Sequence, residues 1–449
     1  MMTQSLPDLT ARLLEAARRA GADQADAMAR DGSSVSIGVR AGKLEEAERS
    51  EGAEIGLRVI LGQRQACVSS SDLRDAAMDE MAARAVAMAR EAPEDPTVGL
   101  ASSDQLSALR DATALELFDP SDAPSPDALM QTALAAEAAA LAVDGVTQVS
   151  GAGASYGTSH VHIAATNGFS GGYSRSHRQT YCTAIAGTGT KMERDSDGDM
   201  RLFQSDLRPA EEIGTRAGER AVSRLGAVQP KTGKYPVLFD ERISGSLIGH
   251  LLGAVNGVAI ARGGSFLRGH LGQRVLPAGL SLTEDPHRPR TSGSRPFDAE
   301  GLPTARRAIV DDGILTGWTL DLATARKLNM APTGNAARGL SAPPSPSNWN
   351  VELTQGTATR DDLIARMGTG FLVTSLIGST INANTGDYSR GASGFWVENG
   401  RISHPVAEGT IAGNLLDMLA RMIPANDARP HLSHVVPSIL IEDMSIAGQ

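Results

Sequence analysis

The sequence has few aromatic residues and few cysteines. Phe, Trp and Tyr together make up 4% of the 449 residues, so a hydrophobic core must be built from Ala, Val, Leu and Ile. The two cysteines, Cys67 and Cys182, lie in strand-like apolar patterns, which indicates buried free thiols in a reducing compartment. No CxxC pair or Cys/His cluster occurs, and this excludes the common structural zinc motifs.

Positive charge is also scarce, since Lys and Arg number 42 against 52 Asp and Glu. The formal net charge of −10 repels phosphate backbones, so we expect no nucleic-acid partner. Residues 1–21 lack the apolar core of a signal peptide and space Leu6, Leu9, Leu13 and Leu14 on one face of a helix. These features predict a cytoplasmic protein with an amphipathic first helix.

One run of the chain, residues 243–261, contains no Asp, Glu, Lys or Arg. Its length alone is typical of a transmembrane helix. However, four glycines, two serines, one asparagine and one histidine make it weakly apolar. We therefore predict a buried helix in a soluble domain and no association with a membrane.

The order of periodic patterns divides the chain into three segments. The first segment, 1–95, has the pattern of a helix, strands and a second helix. The second segment, 96–229, has three strand-like runs, at 146–157, 159–168 and 172–189, between helices. The third segment, 230–449, is rich in strand patterns, with one buried helix. The prediction is an α+β protein, with an N-terminal α/β region of antiparallel strands and flanking helices and a β-rich C-terminal domain.

Two short motifs of the third segment predict hairpins. DDGILTG places Asp-Gly between strand-like runs, and VENGRIS places Asn-Gly in the same way. Both dipeptides favour the tight turns that join neighbouring antiparallel strands.

The predicted buried helix has a glycine at every fourth position: Gly245, Gly249, Gly253 and Gly257. At 3.6 residues per turn these glycines form a slowly drifting stripe on one face. Each costs roughly 1 kcal/mol relative to alanine inside a helix. We therefore expect something to pack closely against the stripe: the backbone of a sheet, a peptide or another subunit.

His250 lies within this helix and raises the question of a metal site. A metallopeptidase helix needs two ligand histidines close together and a glutamate as general base. No second histidine lies within five residues of His250, and no acidic residue occurs between Glu241 and Glu284. Taken alone, the surrounding residues favour a hydrogen-bonded core histidine.

Two further groups of residues are candidates for binding. His160 and His162 share one face of a predicted strand, but no third ligand is evident, which favours a structural or surface pair. The stretch from Arg262 to Arg307 holds eight arginines. These suit either an acidic partner or peptide carboxylate, or a solvated loop in which they pair with the nearby acidic residues Glu284, Asp285, Asp298 and Glu300.

Three long stretches of the sequence resemble the TldD/PmbA family, and within it the PmbA (TldE) branch. They are residues 297–338 (FDAEGLPTARRAIVDDGILTGWTLDLATARKLNMAPTGNAAR), 384–408 (NTGDYSRGASGFWVENGRISHPVAE) and 410–418 (TIAGNLLDM). The resemblance covers nearly the whole chain. It implies a cytoplasmic bacterial complex in which TldD-like and TldE-like chains form a heterodimer that cleaves unfolded peptides, including antibiotic precursor leaders and toxin–antitoxin components.

The same resemblance implies a metal motif in the TldD-like branch. There, a helix carrying HExxxH supplies two zinc ligands and the base, and a cysteine near the C-terminus supplies the third ligand. In this chain Gly245 stands at the first histidine, Ser246 stands at the glutamate, only His250 remains, and residues 428–448 contain no cysteine. We therefore predict no catalytic residue and no metal ligand here, with zinc in the TldD-like partner.

Two alternatives remain open at this point. The chain is a divergent metallopeptidase that uses His250, His431 and His434, although the glutamate base is absent. Alternatively, it is a stand-alone peptide-binding protein, for which a homodimer is expected because the glycine stripe and open strand edges need cover. In each reading, an extended peptide adds to a strand edge of the third segment.

Overall fold

The computed structural model describes residues 5–448 of the protein, so the first four residues of the predicted N-terminal helix segment and Gln449 lie outside the described residues. Within that range, helices and mostly antiparallel sheets confirm the α+β fold class. The amphipathic first helix is also confirmed. It begins after Ser5, whose hydroxyl accepts a hydrogen bond from the Asp8 backbone N–H, and it buries Leu9 and Leu13.

The first and second segments share one six-stranded antiparallel sheet. Its strands follow the order β3-β2-β1-β4-β5-β6. They are β1 (Gln24–Arg40), β2 (Lys43–Leu61), β3 (Arg64–Ser70), β4 (Val146–Ala165), β5 (Ser170–Ala186) and β6 (Glu193–Arg201). Because β1 of the first segment pairs with β4 of the second, one continuous sheet spans both segments on either side of the predicted boundary near residue 95. The strand-like runs at 146–157 and 159–168 are one strand, β4, because its pairing with β1 and β5 continues without a break through Gly157 and Thr158. The run at 172–189 falls mainly in β5.

Four helices cover this sheet in two pairs: α1 (Leu6–Arg19), α2 (Asp75–Glu91), α3 (Pro126–Leu141) and α4 (Ala210–Ser223). The pair α1 and α2 encloses one apolar cluster, and the pair α3 and α4 encloses a second cluster rich in alanine. Small side chains let α3 and α4 approach closely. An added Cβ at Gly214 would overlap the backbone carbonyl of Ala136, so this contact requires glycine.

The third segment contains the remaining described strands and five helices. The strands are β7 (Gly233–Phe239), β8 (Leu282–Glu284), β9 (Arg307–Asp311), β10 (Ile314–Leu315), β11 (Ala336–Ala337), β12 (Ser345–Pro346), β13 (Val351–Leu353), β14 (Gly370–Ile381), β15 (Asp387–Glu398), β16 (Arg401–Asn414), β17 (Ile423–Pro424), β18 (His434–Val435) and β19 (Ile439–Ala447). The helices are α5 (Glu241–Ala254), α6 (Gly257–Arg262), α7 (Leu322–Leu328), α8 (Arg360–Met367) and α9 (Leu415–Ala420).

The long strands of the third segment form a sheet that closes on itself. Its order is β16-β15-β14-β7-β19, and Thr410–Ala412 of β16 pair with Ser445–Ala447 of β19 to complete the ring. Both predicted hairpins are confirmed. The turn residues Asp312 and Gly313 join β9 to β10, and Asn399 and Gly400 join β15 to β16, all with positive φ.

The predicted single helix of the third segment is one of five helices in the described part of that segment. The other four have six to eight residues, too few turns for a clear helical period in the sequence. Residues 243–261 fall mainly in two helices, α5 and α6, because the side chain of Asn256 caps a new helix at that point. Across residues 5–448, no helix is long and apolar enough to cross a membrane.

A buried polar cluster joins the N-terminal sheet to the third segment. Asp26 of β1 contacts Arg58 of β2 at 2.5 Å and also pairs with Arg338, which follows β11. Glu300 is buried nearby, and its side chain accepts a hydrogen bond from the Leu322 backbone N–H. Glu300 lies beside Arg58, so the two parts of the chain meet through polar as well as apolar contacts.

Candidate functional site

Helix α5 places the degenerate metal-motif positions. It follows β7 directly, and the Asp240 side chain caps its first turn by accepting from the Arg242 backbone N–H. One face packs into the core of the third segment through the buried residues Ser244, Leu247, Ile248, Leu251 and Leu252. The opposite face carries the glycines, of which Gly249 and Gly253 are exposed.

Of the three expected partners of the glycine stripe, a sheet backbone of this chain is not found, and a peptide or another subunit remains a prediction. Apart from the helix itself, no described atom lies within 4 Å of a Cβ placed at Gly245, Gly249 or Gly253. Gly257 does not belong to the same stripe, because it begins α6 and its added Cβ would lie 2.7 Å from Leu320. The bare face of α5 is open to a peptide or to another subunit.

Alanine is expected to have opposite effects on stability at an open glycine, Gly253, and at a closely packed glycine, Gly214. Gly253→Ala is expected to raise the free energy of unfolding by about 0.5–1 kcal/mol, because alanine is the better helix former at an open position. Gly214→Ala is expected to lower it by about 2 kcal/mol, since the methyl group would force α4 away from α3. Urea unfolding of the two variants checks both signs. Destabilisation by Gly253→Ala would mean that the α5 face is covered in the isolated protein.

A cleft of about 1320 Å³ opens in front of Gly245 and Ser246. One wall consists of α5 and residues 374–377 of β14, and the facing wall consists of residues 193–196 of β6. β6 is the outer strand of the N-terminal sheet, so the edge strand that borders this cleft belongs to the second segment. The sequence-based hypothesis placed a peptide-binding edge in the third segment, whose long strands are mostly closed into a ring.

His250 is half-buried behind this wall. Its ring lies 5.9 Å from that of Tyr388 in an edge-to-face arrangement. His250 is thus packed against the core, as predicted, but its Nε2 has no hydrogen-bond partner among the described residues. Burial lowers the pKa of His250, and the positive charge of Arg390 lowers it further, which keeps the imidazole neutral at pH 7.

The structure does not bring His250, His431 and His434 together as a metal site. His431 lies 3.9 Å from Asp199 of β6, and His434 lies on β18, where it pairs with Val351 and faces Glu284. Within residues 5–448, no three His, Cys, Asp or Glu side chains are placed to hold a metal ion. The three-histidine alternative therefore has no support in the geometry.

The residues at the degenerate motif do not fit zinc. Gly245 has no donor atom, and the Ser246 hydroxyl is turned back to donate to the Ile243 carbonyl at 2.7 Å. His250 alone offers a ring nitrogen, whereas a catalytic zinc needs three protein ligands. Hydrolysis by a metal-activated water therefore has neither its ligands nor its base at this position.

Ion pairs cross the cleft at one end. Arg242 of α5 lies 3.3 Å from Asp195 of β6, and Arg224, which follows α4, lies 3.5 Å from the same carboxylate. Each arginine also has a second carboxylate partner, Glu193 for Arg224 at 3.6 Å and Asp240 for Arg242 at 3.1 Å, so both are engaged in ion pairs. Arg194 and Arg390 also line the cleft, and neither forms an ion pair within the described part of the chain. The sequence-based reasoning missed both, because no local motif marks them.

The two other candidate groups have partners of their own. His162 lies between Thr10 and Ser170, at 2.8 and 3.3 Å, and His160 contacts the Ser174 hydroxyl at 2.6 Å. Each histidine of the pair is thus hydrogen-bonded separately, and within residues 5–448 no third ligand joins them.

The arginine-rich stretch makes many contacts within the chain. Arg307 lies 2.8 Å from Glu284, and Arg306 lies 3.8 Å from Asp285, as the solvated-loop interpretation expected. Arg290 instead pairs with Glu116 and Asp206, which lie outside the stretch. These pairs favour an internal role for the stretch over a free basic surface.

Comparison with known proteins identifies the family. Residues 25–89, 119–225 and 232–448 match the models of domain 1, the central domain and the C-terminal domain of the PmbA/TldA metallopeptidases. The chain belongs to the TldD/PmbA family. The cleft in front of Gly245 therefore lies between the central and C-terminal domains of a TldD/PmbA protein.

Curated relatives agree with this assignment. The chain is 37% identical to metalloprotease PmbA of Escherichia coli O157:H7, over 92% of this chain and 90% of that protein. It is 36% identical to a metalloprotease PmbA homologue of Haemophilus influenzae, over 99% of this chain and 96% of that protein. Both alignments include the metal-motif positions and the cleft walls because they span most of the chain.

Solved structures share the whole fold. A proposed modulator of DNA gyrase from Bacteroides thetaiotaomicron superposes with a TM-score of 0.91 at 26% identity, with 100% of each chain covered. TldE of Thermococcus kodakarensis superposes with a TM-score of 0.85 at 21% identity, covering 98% of this chain and 99% of that one, a likeness of fold alone.

Proposed function

We propose that this TldD/PmbA chain is the non-catalytic, PmbA/TldE-type subunit of a cytoplasmic zinc metallopeptidase complex. In this proposal a TldD-like partner binds the zinc and cleaves unfolded peptides, and this chain shapes the peptide-binding space. The observation that supports it most directly is the helix α5 face, where Gly245 and Ser246 line the cleft without a metal ligand or a general base.

The chemistry of the site argues against independent hydrolysis. A metallopeptidase uses the metal to lower the pKa of bound water and a carboxylate to accept its proton. On α5 the only carboxylates are Asp240 at the cap and Glu241 in the first turn, and Asp240 is engaged by Arg242 and Arg360. Burial raises the pKa of Glu241, and Arg429 lies 2.6 Å from it, so it serves an ion pair away from the motif positions.

The open glycine face is consistent with a subunit that receives another chain. Gly245, Gly249 and Gly253, spaced four residues apart, produce a smooth surface about two turns long, which lets another backbone approach closely. A catalytic helix with histidine and glutamate at the same positions would fill that space with side chains. In this proposal, the same small residues at the motif positions remove the metal-binding side chains and create the contact surface.

The proposal is tested by metal content and activity, with and without a TldD-like chain. The purified chain alone is expected to contain zinc well below one ion per molecule, by elemental mass spectrometry, and to cleave no unfolded peptide. Co-expression with a TldD-like chain is expected to yield a stable complex with peptidase activity. In that complex, His250→Gln in this chain is expected to change activity by no more than about twofold, because a neutral residue outside the metal site contributes no ligand.

The control is the glutamate of the partner's HExxxH motif, whose replacement by glutamine is expected to abolish cleavage. Zinc near one ion per chain, together with activity that His250→Gln removes from the isolated protein, would refute the proposal. A homodimer that binds peptides and recruits no TldD-like chain would instead support the stand-alone peptide-binding alternative.

A further inference from the structure

A bulge in strand β14 fixes the direction of Arg390. On β14, Ile377 pairs with Gly391 and Thr380 pairs with Ser389, so two β14 residues lie opposite the single residue Arg390. Gly378 has a φ of +68°, in the left-handed region that glycine adopts without strain. Bulges of this kind bend a strand and redirect side chains beside binding sites.

The bulge also anchors the guanidinium. The Arg390 Nε donates to the Gly378 carbonyl at 2.7 Å. This bond uses the Nε donor and leaves the two terminal nitrogens for other acceptors. Arg390 lines the cleft, with the Tyr388 hydroxyl beside its guanidinium. A guanidinium that is held in place loses little rotamer entropy when it binds a second group.

Neighbouring groups leave the charge of Arg390 uncompensated. Among residues 5–448 no carboxylate lies within 4.0 Å of it, whereas Arg224 and Arg242 in the same cleft each pair with Asp195. Burial raises the pKa of the Tyr388 hydroxyl to about 12, so that group is neutral, and the His250 ring is neutral for the reason given above. The two carboxylates that line the same cleft, Glu193 and Asp195, pair with Arg224 and Arg242 instead, so no described carboxylate is an ion-pair partner of Arg390.

Apolar side chains stand exposed in the same cleft. Ile377 is 68% exposed and Met192 is 48% exposed, and both line it together with Ile185. Exposed apolar groups beside a fixed cation suit a ligand that joins an apolar group to an anion. In a peptide, a carboxylate close to an apolar side chain has this combination.

We propose that the cleft binds a peptide carboxylate at the guanidinium of Arg390, with an apolar side chain of the same peptide against Ile377 and Met192. The proposal rests on the proposed function for the ligand class, which is unfolded peptide, and adds the chemical group that is recognised. A C-terminal carboxylate and the side chain of Asp or Glu share this chemistry. The peptides used in the test distinguish them.

The test measures binding of three fluorescent hexapeptides to the full-length chain by anisotropy. All three share apolar residues at their last positions. One ends in a free carboxylate, the second ends in an amide, and the third ends in an amide but carries one internal Asp. The free-acid peptide or the Asp peptide is expected to bind at least about tenfold more tightly than the neutral amide, because only a carboxylate can accept both guanidinium donors.

Arg390→Gln is expected to remove this preference and to leave binding of the neutral amide unchanged. The matched control is Arg401→Gln, at an exposed arginine on β16 outside the cleft, which is expected to retain the full preference. Preference for the free acid alone would identify the C-terminal carboxylate, and equal preference for the Asp peptide would identify a general carboxylate site.

Equal binding of the acid and amide peptides, a preference that survives Arg390→Gln, or no binding of any peptide at millimolar concentration would overturn the proposal. Capture of a TldD-like chain by the wild type and by Arg390→Gln is measured in parallel. If capture and activity of the complex hold while the carboxylate preference is absent, this inference fails and the proposed function stands. If the preference holds without capture of a partner, the proposed function fails and this inference stands.

Discussion

Replacing Asp26 with alanine is expected to lower the free energy of unfolding by about 3–5 kcal/mol, because it leaves two buried arginines without their counter-charge. The side chains of Arg58 and Arg338 are 4% and 0% exposed, and both pair with the Asp26 carboxylate. A guanidinium cannot escape this cost by losing its proton at ordinary pH, although burial lowers the pKa of Arg338 to about 10. Urea or thermal unfolding of the full chain measures the loss.

Glu54→Ala provides a matched control on the same sheet. Glu54 of β2 lies 2.5 Å from Arg30 of β1, but the two side chains are 46% and 58% exposed. Solvent screens such a pair, so its removal is expected to cost no more than about 1 kcal/mol. Equal losses for Asp26→Ala and Glu54→Ala would contradict the view that the buried cluster stabilises the junction between the N-terminal sheet and the third segment.

The stability of the protein is expected to fall as pH rises from about 5 to above 8, and Glu300→Gln is expected to remove much of that fall. Burial, together with the negative charge of Asp298, raises the pKa of Glu300 to about 8. A folded-state pKa above the unfolded value favours the protonated form in the folded protein. Its contribution is therefore fully present below about pH 4.5 and is lost as pH rises through about 8.

Glutamine keeps the shape and the carbonyl that accepts from the Leu322 N–H, but it carries no charge to bury. The variant is expected to match the wild type near pH 5 and to be more stable above pH 8, by on the order of 3 kcal/mol. Urea unfolding between pH 5 and 9 checks the slope, with exposed Glu54→Gln expected to follow the wild-type profile. Parallel profiles for Glu300→Gln and wild type would show that Glu300 is ionised in the folded protein without cost.

Much of the fold followed from local patterns. The Asp312-Gly313 and Asn399-Gly400 turns depend on φ values that these residue types adopt readily, so neighbouring residues suffice to predict them. The helix α1 depends on its Ser5 cap and on the spacing of Leu9 and Leu13, which are also local. The four short helices of the third segment were not predicted, because six to eight residues contain too few turns to show a period.

The candidate site likewise has features that the local sequence predicts and features that depend on distant parts of the chain. The absence of ligand side chains at Gly245 and Ser246 is a property of residue identity and could be stated from the sequence. The cleft in front of them could not, because its second wall comes from β6, about 50 residues earlier in the chain. Arg390 was not a candidate, since its direction is set by the bulge at Gly378 on a paired strand rather than by its neighbours in sequence.

The sequence by itself determined the fold class, the family resemblance and the loss of the metal motif, because these depend on residue identity, periodicity and short turns. Only the tertiary structure decided that, among residues 5–448, nothing covers the glycine face of α5, His250 Nε2 has no hydrogen-bond partner, and Arg390 lines a cleft without an ion-pair partner. Each of these properties depends on whether a distant part of the chain places an atom, a hydrogen-bond partner or a counter-charge beside the residue. The relative positions of the β6 edge, the β14 bulge and helix α5 decide this, and they cannot be read from neighbouring residues in the sequence.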